Sequence, residues 1–151
     1  MFITYNSRYK ADIQPLSAVK PLYTAKLSEP ERLFIEMLNN SKQVKWWYKN
    51  GDTELKYFAV LREDDQAFYP DFIIQLKDGQ IWILDTKGDM TAKDAKERAE
   101  ALQKYIKTQN KKGKNLMGGI AILKNDSWRY NDSEKYEYNP NDLSSWKVLG
   151  L

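Results

Sequence analysis

The stretch from Phe68 to Gly88 constrains the fold of this chain more than any other part of it. It reads as two apolar strands, Phe72–Leu76 and Ile81–Leu84, joined by a tight turn at Asp78-Gly79. Runs so continuously apolar do not suit a sheet wetted on one side, so both strands are expected near the sheet centre, covered on both faces. Asp71 enters the first strand. Asp85 and Lys87 leave the second two residues apart, and therefore on one face.

Turn chemistry decides whether the two aspartates meet. A two-residue loop at Asp78-Gly79 would pair Lys77 with Gln80 and Asp71 with Thr86, pointing the aspartates to opposite faces. A three-residue loop, Lys77-Asp78-Gly79, with Gly79 in the left-handed bulge position, pairs Leu76 with Gln80 instead. Ile73 then faces Ile83, and Asp71 faces Asp85 with Lys87 alongside; this second register is the expected one. Two carboxylates opposed across a sheet repel, and each raises the other's pKa unless a cation or a proton intervenes. A hard divalent ion such as Mg²⁺ suits such a pair, because it takes carboxylate oxygen and keeps several waters.

Composition narrows the chemistry further. At 151 residues the chain is one domain's worth, and 42% hydrophobic with 30% charged residues describes a globular protein with a real core. A net charge of +3 permits a nucleic-acid partner without arguing for one. The chain has no cysteine and no histidine. Disulfides, thiolate metal sites, Ser-His-Asp and Cys-His catalysis and His-ligated zinc are all excluded, so any catalysis must run on carboxylates, Lys, Tyr or a metal. No apolar run is long enough to span a bilayer, and the N-terminus lacks a signal-peptide core.

Around the hairpin, the chain divides into a lead-in over residues 1–27 with a short strand at Phe2 to Tyr5, a core over 28–124, and an extension with short strands over 125–151. Ser28-Glu29-Pro30-Glu31 is a capping box opening a helix whose buried stripe is Leu27, Leu33, Phe34, Met37 and Leu38. Glu31 lies on the edge of that stripe, and Glu36 points away. Val44–Asn50 is a strand by alternation, with Val44, Trp46 and Tyr48 on one face and Lys45, Trp47 and Lys49 on the other. That basic, aromatic second face could grip phosphate, but a lone aromatic on a strand more often fills a core while its lysines reach outward. Asn50-Gly51-Asp52 reads as a turn, Leu55–Leu61 as a strand, and Arg62 to Asp65 as a solvated loop. Thr91 to Asp94 caps a helix running to about Gln109, with Ala95, Ala99, Leu102, Tyr105 and Ile106 buried and Gly113 as its terminating glycine. Its lysine-rich end suits the helix dipole more than a DNA patch. Leu116–Leu123 follows as a strand, and strand–helix–strand permits a right-handed crossover with a parallel pair. Trp128–Tyr130 and Tyr136–Tyr138 read as short strands, and Leu143–Val148 as a short terminal element.

Pro70-Asp71, followed at short range by Asp85-Thr86-Lys87 at a strand end, resembles the PD-(D/E)XK nuclease signature. The fuller pattern, Tyr69-Pro70-Asp71-Phe72, Lys77-Asp78-Gly79 and Asp85-Thr86-Lys87-Gly88, is similar to the C-terminal endonuclease domain of type III restriction enzyme Res subunits and helicase-linked nucleases. The resemblance covers about Ser28 to Leu123. It implies an α/β fold with a restriction-endonuclease-like core, a mixed central β-sheet flanked by helices. It also implies a Mg²⁺-dependent DNA endonuclease, with Mn²⁺ as a substitute ion. Asp71, Asp85 and the Thr86 carbonyl would hold the metal, and Lys87 would orient water or neutralise phosphate. Glu31 matches the acidic position on the helix before the sheet; it either assists the metal or only closes the capping box. Implied partners are DNA and, in the same system, an ATP-dependent helicase or translocase and a modification subunit, in the cytoplasm and with no membrane. The chain would then be an excised module of a larger protein or a stand-alone relative. One departure from the pattern is Asp85, where many relatives carry Glu. A non-catalytic DNA-binding or assembly module that keeps the fold is the alternative from another class; an RNA- or repair-directed nuclease is the third.

Overall fold

The structure, a computed structural model, describes Leu16, Ala18 and residues 27–51 and 57–151. The expected strand at Phe2–Tyr5 lies outside the described residues, as do Asp52 of the turn and Leu55 and Lys56 of the strand expected over Leu55–Leu61; of the rest of that strand only Val60 and Leu61 are extended and paired, and Tyr57 to Ala59 are not. Among the described residues, the elements form a six-stranded mixed sheet flanked by helices, with a two-stranded sheet beside it. No described helix is long and apolar enough to cross a membrane.

Helix α1 (Glu29–Asn40) begins as its sequence dictates. Ser28 Oγ accepts from the Glu31 N–H, Glu31 Oε2 accepts from the Ser28 N–H at 2.7 Å, and Pro30 sits in the first turn. Phe34, Ile35 and Leu38 are buried against one sheet face, with Leu27, Leu33 and Met37 at the margin; Ile35 is a core residue that the periodicity of the stripe leaves out. Strand β1 (Val44–Lys49) pairs antiparallel with β4 (Phe72–Leu76), with Val44 opposite Leu76 but Trp46 opposite Gln75. The extra residue is Lys45, and this bulge shifts the alternation by one. Val44, Trp47 and Lys49 therefore share the α1 face, which corrects the grouping of Val44 with Trp46 and Tyr48. Trp47 is fully buried beneath α1, its indole N–H donating to Asn39.

The hairpin has the bulged-turn register. Gly79 has φ +93°, Gly79 N donates to Leu76 O at 3.0 Å, and Leu76 N donates to Gln80 O at 2.9 Å. In β5 (Ile81–Thr86), Ile83 faces Ile73 and Leu84 faces Phe72, so Asp85 comes next opposite Asp71. Strand β5 is buried on both faces, but β4 is fully covered only on the α1 side, its Ile73 and Gln75 remaining half-exposed. Helix coverage of the other face is centred on β5 and its neighbour further in, the strand Leu116–Lys124.

After the hairpin the chain makes a four-residue helix α2 (Asp89–Ala92), then α3 (Lys96–Lys111). The long helix thus starts later than a cap at Thr91 would require. Thr91 Oγ1 closes the short α2 turn by contacting Gly88, and Ala95 stands at the head of α3. Ala95, Ala99, Leu102 and Ile106 are buried as expected, Tyr105 partly so, and Gly113 ends the helix at φ +89°. Strand β6 (Leu116–Lys124) returns parallel to β5 through this crossover. Gly118 lets the pair approach: a Cβ there would lie 1.9 Å from Ile83 O.

Strands β2 (Val60–Leu61) and β3 (Ala67–Phe68) form the small sheet, and β7 (Ser127–Asn131) and β8 (Lys147–Val148) extend the large one, in the order β1-β4-β5-β6-β7-β8. Tyr136 to Tyr138 is not a strand. Its rings pack against Trp146, the Tyr136 N–H donates to Glu100 Oε1, and the Tyr136 hydroxyl donates to Ala92 O at 2.7 Å.

Candidate active site

The hairpin's open end, the start of α1 and the end of β1 converge on one cluster: Glu31, Lys49, Asp71, Asp85, Thr86 and Lys87. All five sequence-predicted residues are there, and Lys49 joins them. Asp71 stands just before β4, and its carboxylate reaches across the hairpin. Oδ2 accepts from the Thr86 N–H at 2.9 Å and from Thr86 Oγ1 at 2.8 Å. The register is as the sequence indicates, while the side chain is held at the strand end rather than standing free over one face. Thr86 enters the cluster through its N–H and hydroxyl.

Asp85 is the buried member, its side chain only 2% exposed. Burial pushes its carboxyl up to about 7, the neighbouring Asp71 pushes in the same direction, and Lys87 opposes both. Lys87 Nζ lies 2.6 Å from Asp85 Oδ2. That contact is an ion pair without hydrogen-bond alignment, leaving Oδ2 buried with no aligned donor. The Lys87 ammonium offsets part of the cost of burying that carboxylate, and the raised pKa of Asp85 reflects the remainder.

Lys49 Nζ sits 2.9 Å from Glu31 Oε1 and 3.5 Å from Asp71 Oδ1, while donating to Asn50 O at 3.1 Å. Burial works against its charge, but Asp71 and Glu31 outweigh that and raise its pKa. Glu31 is likewise lowered despite its burial, through Lys49 and the Ser28 hydrogen bonds. Glu31 closes the capping box with one oxygen, as its sequence position allows, and turns the other to the Lys49 ammonium. Among the described residues, no group of three or more His, Cys, Asp or Glu is arranged to hold a metal ion. Asp71 and Asp85 offer two carboxylates, and the third acid, Glu31, is engaged by Lys49.

Two residues in this constellation escaped the sequence reading. Lys49 was expected to reach outward, but the bulge at Lys45 turns it inward, over the Phe72 ring at 5.4 Å. Its position was nonetheless readable in one respect, since an antiparallel partner for β4 must end beside Asp71. Asn50 is buried, and its amide donates to Phe58 O and Pro70 O while its carbonyl accepts from the Phe58 N–H. This clamp, with Asn50 N donating to Asp71 O at 2.8 Å, fixes the backbone that presents Asp71.

A model of the YagJ family matches residues 16–136. The chain belongs to the YagJ family. No curated protein and no solved structure matches it. The YagJ span contains the whole cluster, from Glu31 to Lys87, together with α3, β6 and the segment that carries Tyr136. The terminal strand β8 lies outside the YagJ match.

Proposed function

We propose that this chain is a metal-dependent DNA endonuclease domain of the PD-(D/E)XK kind, its sheet and helices arranged as in restriction endonucleases and its motif pattern resembling that of the nuclease domains of type III Res subunits. The observation that carries the proposal is the facing of Asp71 and Asp85 across β4 and β5, with Lys87 against Asp85 and a buried Asp85 oxygen lacking an aligned donor. Such a donor set fits a hard divalent cation. Asp71 and Asp85, with the Thr86 carbonyl, would hold Mg²⁺, or Mn²⁺ in its place, whose chemistry when bound is to acidify water and offset charge on a phosphate.

The chain's own groups supply the rest. Thr86 fixes the Asp71 carboxylate through two hydrogen bonds, so a metal ligand is oriented before anything binds. Lys87 carries a compact ammonium on a flexible arm and is free to trade its Asp85 contact for a water or a phosphate oxygen. Residues 28–124 would form the nuclease core, with 1–27 as lead-in and 125–151 as extension. DNA is the substrate, in the cytoplasm, with an ATP-dependent helicase or translocase and a modification subunit as partners.

A non-catalytic DNA-binding or assembly module is favoured by one feature: the acids already have lysine or threonine partners. Plasmid nicking in Mg²⁺ against EDTA separates the two, with Asp85→Asn and Lys87→Ala as controls and single-stranded RNA as a parallel substrate. Nicking that needs Mg²⁺ and is lost in both variants supports the enzyme. Absence of nicking and of any Mg²⁺-dependent rise in Tm, alone or with a motor partner restored, would leave the module.

A further inference from the structure

We infer that the Lys49 ammonium stands in the place of a second cation, so that the centre takes one divalent ion rather than two. The inference rests on the metal-dependent reading above and concerns how many ions that site admits.

The geometry is specific. Lys49 Nζ contacts Glu31 Oε1 at 2.9 Å and Asp71 Oδ1 at 3.5 Å, and thus bridges two carboxylates from different elements. Asp71 divides its two oxygens: Oδ1 faces Lys49, and Oδ2 is held by Thr86 toward the Asp85 side. Glu31 is similarly divided, with Oε2 on the Ser28 N–H and only Oε1 turned to the cluster. The oxygens that could form a second cation position beside Asp71 are the ones that Lys49 occupies. The lysine is fixed there rather than reaching it by chance. Its side chain is 13% exposed, lies over the Phe72 ring and donates to Asn50 O, on a strand end turned inward by the bulge at Lys45.

Charge leads to the same conclusion. With Asp85 ionised, as a bound divalent ion would require, Glu31, Asp71 and Asp85 carry three negative charges against the two ammoniums of Lys49 and Lys87. One divalent ion reverses that small excess of negative charge. A second, added beside a resident ammonium in a half-buried cluster, would meet strong repulsion. Without Lys49 the same oxygens are vacated and the excess doubles.

The test counts ions on the full chain, using Mn²⁺ by calorimetric titration and by electron paramagnetic resonance. Wild type is expected to bind one Mn²⁺ with an uncoupled six-line spectrum. Lys49→Met, which keeps the arm over Phe72, is expected to bind one ion more and to show a spin-coupled pair. Adding Glu31→Gln to Lys49→Met should return the count to that of wild type. If Lys49→Met does not fold by circular dichroism, Lys49→Gln takes its place. Two coupled ions on wild type, or no additional ion on the folded variant, overturns the assignment. A wild type that binds no ion overturns the metal-dependent reading itself, whereas one ion on wild type with none gained by folded Lys49→Met overturns only the Lys49 assignment, so the two failures are distinct.

Discussion

Asp85→Asn isolates the cost of burying the Asp85 charge. In the native state burial and Asp71 raise the Asp85 carboxyl from 3.8 to about 7, even with Lys87 at 2.6 Å. The native state therefore holds a proton that the unfolded chain releases over the window from about pH 4 to about pH 7, and stability falls with rising pH across it. A shift of that size corresponds to about 4 kcal/mol, fully present as a loss above about pH 7 and absent below about pH 4. Asparagine resembles the protonated acid and carries no such dependence. The variant should match wild type near the acid end and exceed it by about 4 kcal/mol at the alkaline end, with the Lys87 contribution already contained in the raised pKa. Urea unfolding of both proteins in EDTA across the window measures the difference directly. A difference constant with pH, or a variant less stable than wild type above neutrality, would refute the account of Asp85 as a charge held against its environment.

Other substitutions test the supports of the cluster. Thr86→Val removes one of the two hydrogen bonds to Asp71 Oδ2 and should cost about 1 kcal/mol in urea unfolding, with a smaller Mg²⁺-dependent rise in Tm. Ser28→Ala should cost about 1 kcal/mol through loss of the cap, leaving nicking per folded molecule intact. Glu31→Gln keeps an acceptor for the Ser28 N–H but loses its charge against Lys49, so it should lower nicking while shifting Tm no more than Ser28→Ala does. Gly118→Ala places a Cβ 1.9 Å from Ile83 O, and thermal unfolding should show a loss of about 3 kcal/mol or more.

The hairpin was legible because its information is local. Alternation decides which side chains share a face, and Asp78-Gly79 narrows the loop to two registers, of which the bulged one sets Asp71 opposite Asp85. The cap at Ser28 and Glu31 is local in the same way. Elsewhere the outcome depends on packing that local spacing does not encode. The bulge at Lys45 depends on how β1 meets β4, and it alone turns Trp47 and Lys49 onto the α1 face. Thr91 looks like the cap of a long helix but serves the four-residue α2, since a hydroxyl three residues from Gly88 fits either role. Tyr136 and Tyr138 alternate as a strand would, yet Trp146 packs on both rings and Glu100 accepts the Tyr136 N–H, and among the described residues no strand pairs with them.

The parallel return of β6 through α3 also gives the cluster a history during folding. The hairpin closes a short loop and forms on a timescale of about 1–10 μs, bringing Asp71 and Asp85 together while water still screens them. Pairing of β5 with β6 waits for closure of the much longer crossover, and only then can α2, α3 and the chain around Tyr136 settle over the face that holds Asp85. Repulsion between the aspartates is therefore weak early and strongest at the last step, when the dielectric around them drops. The hydrophobic contacts of Ala92, Ala95 and Ile120 that close this face drive the docking against that rising resistance.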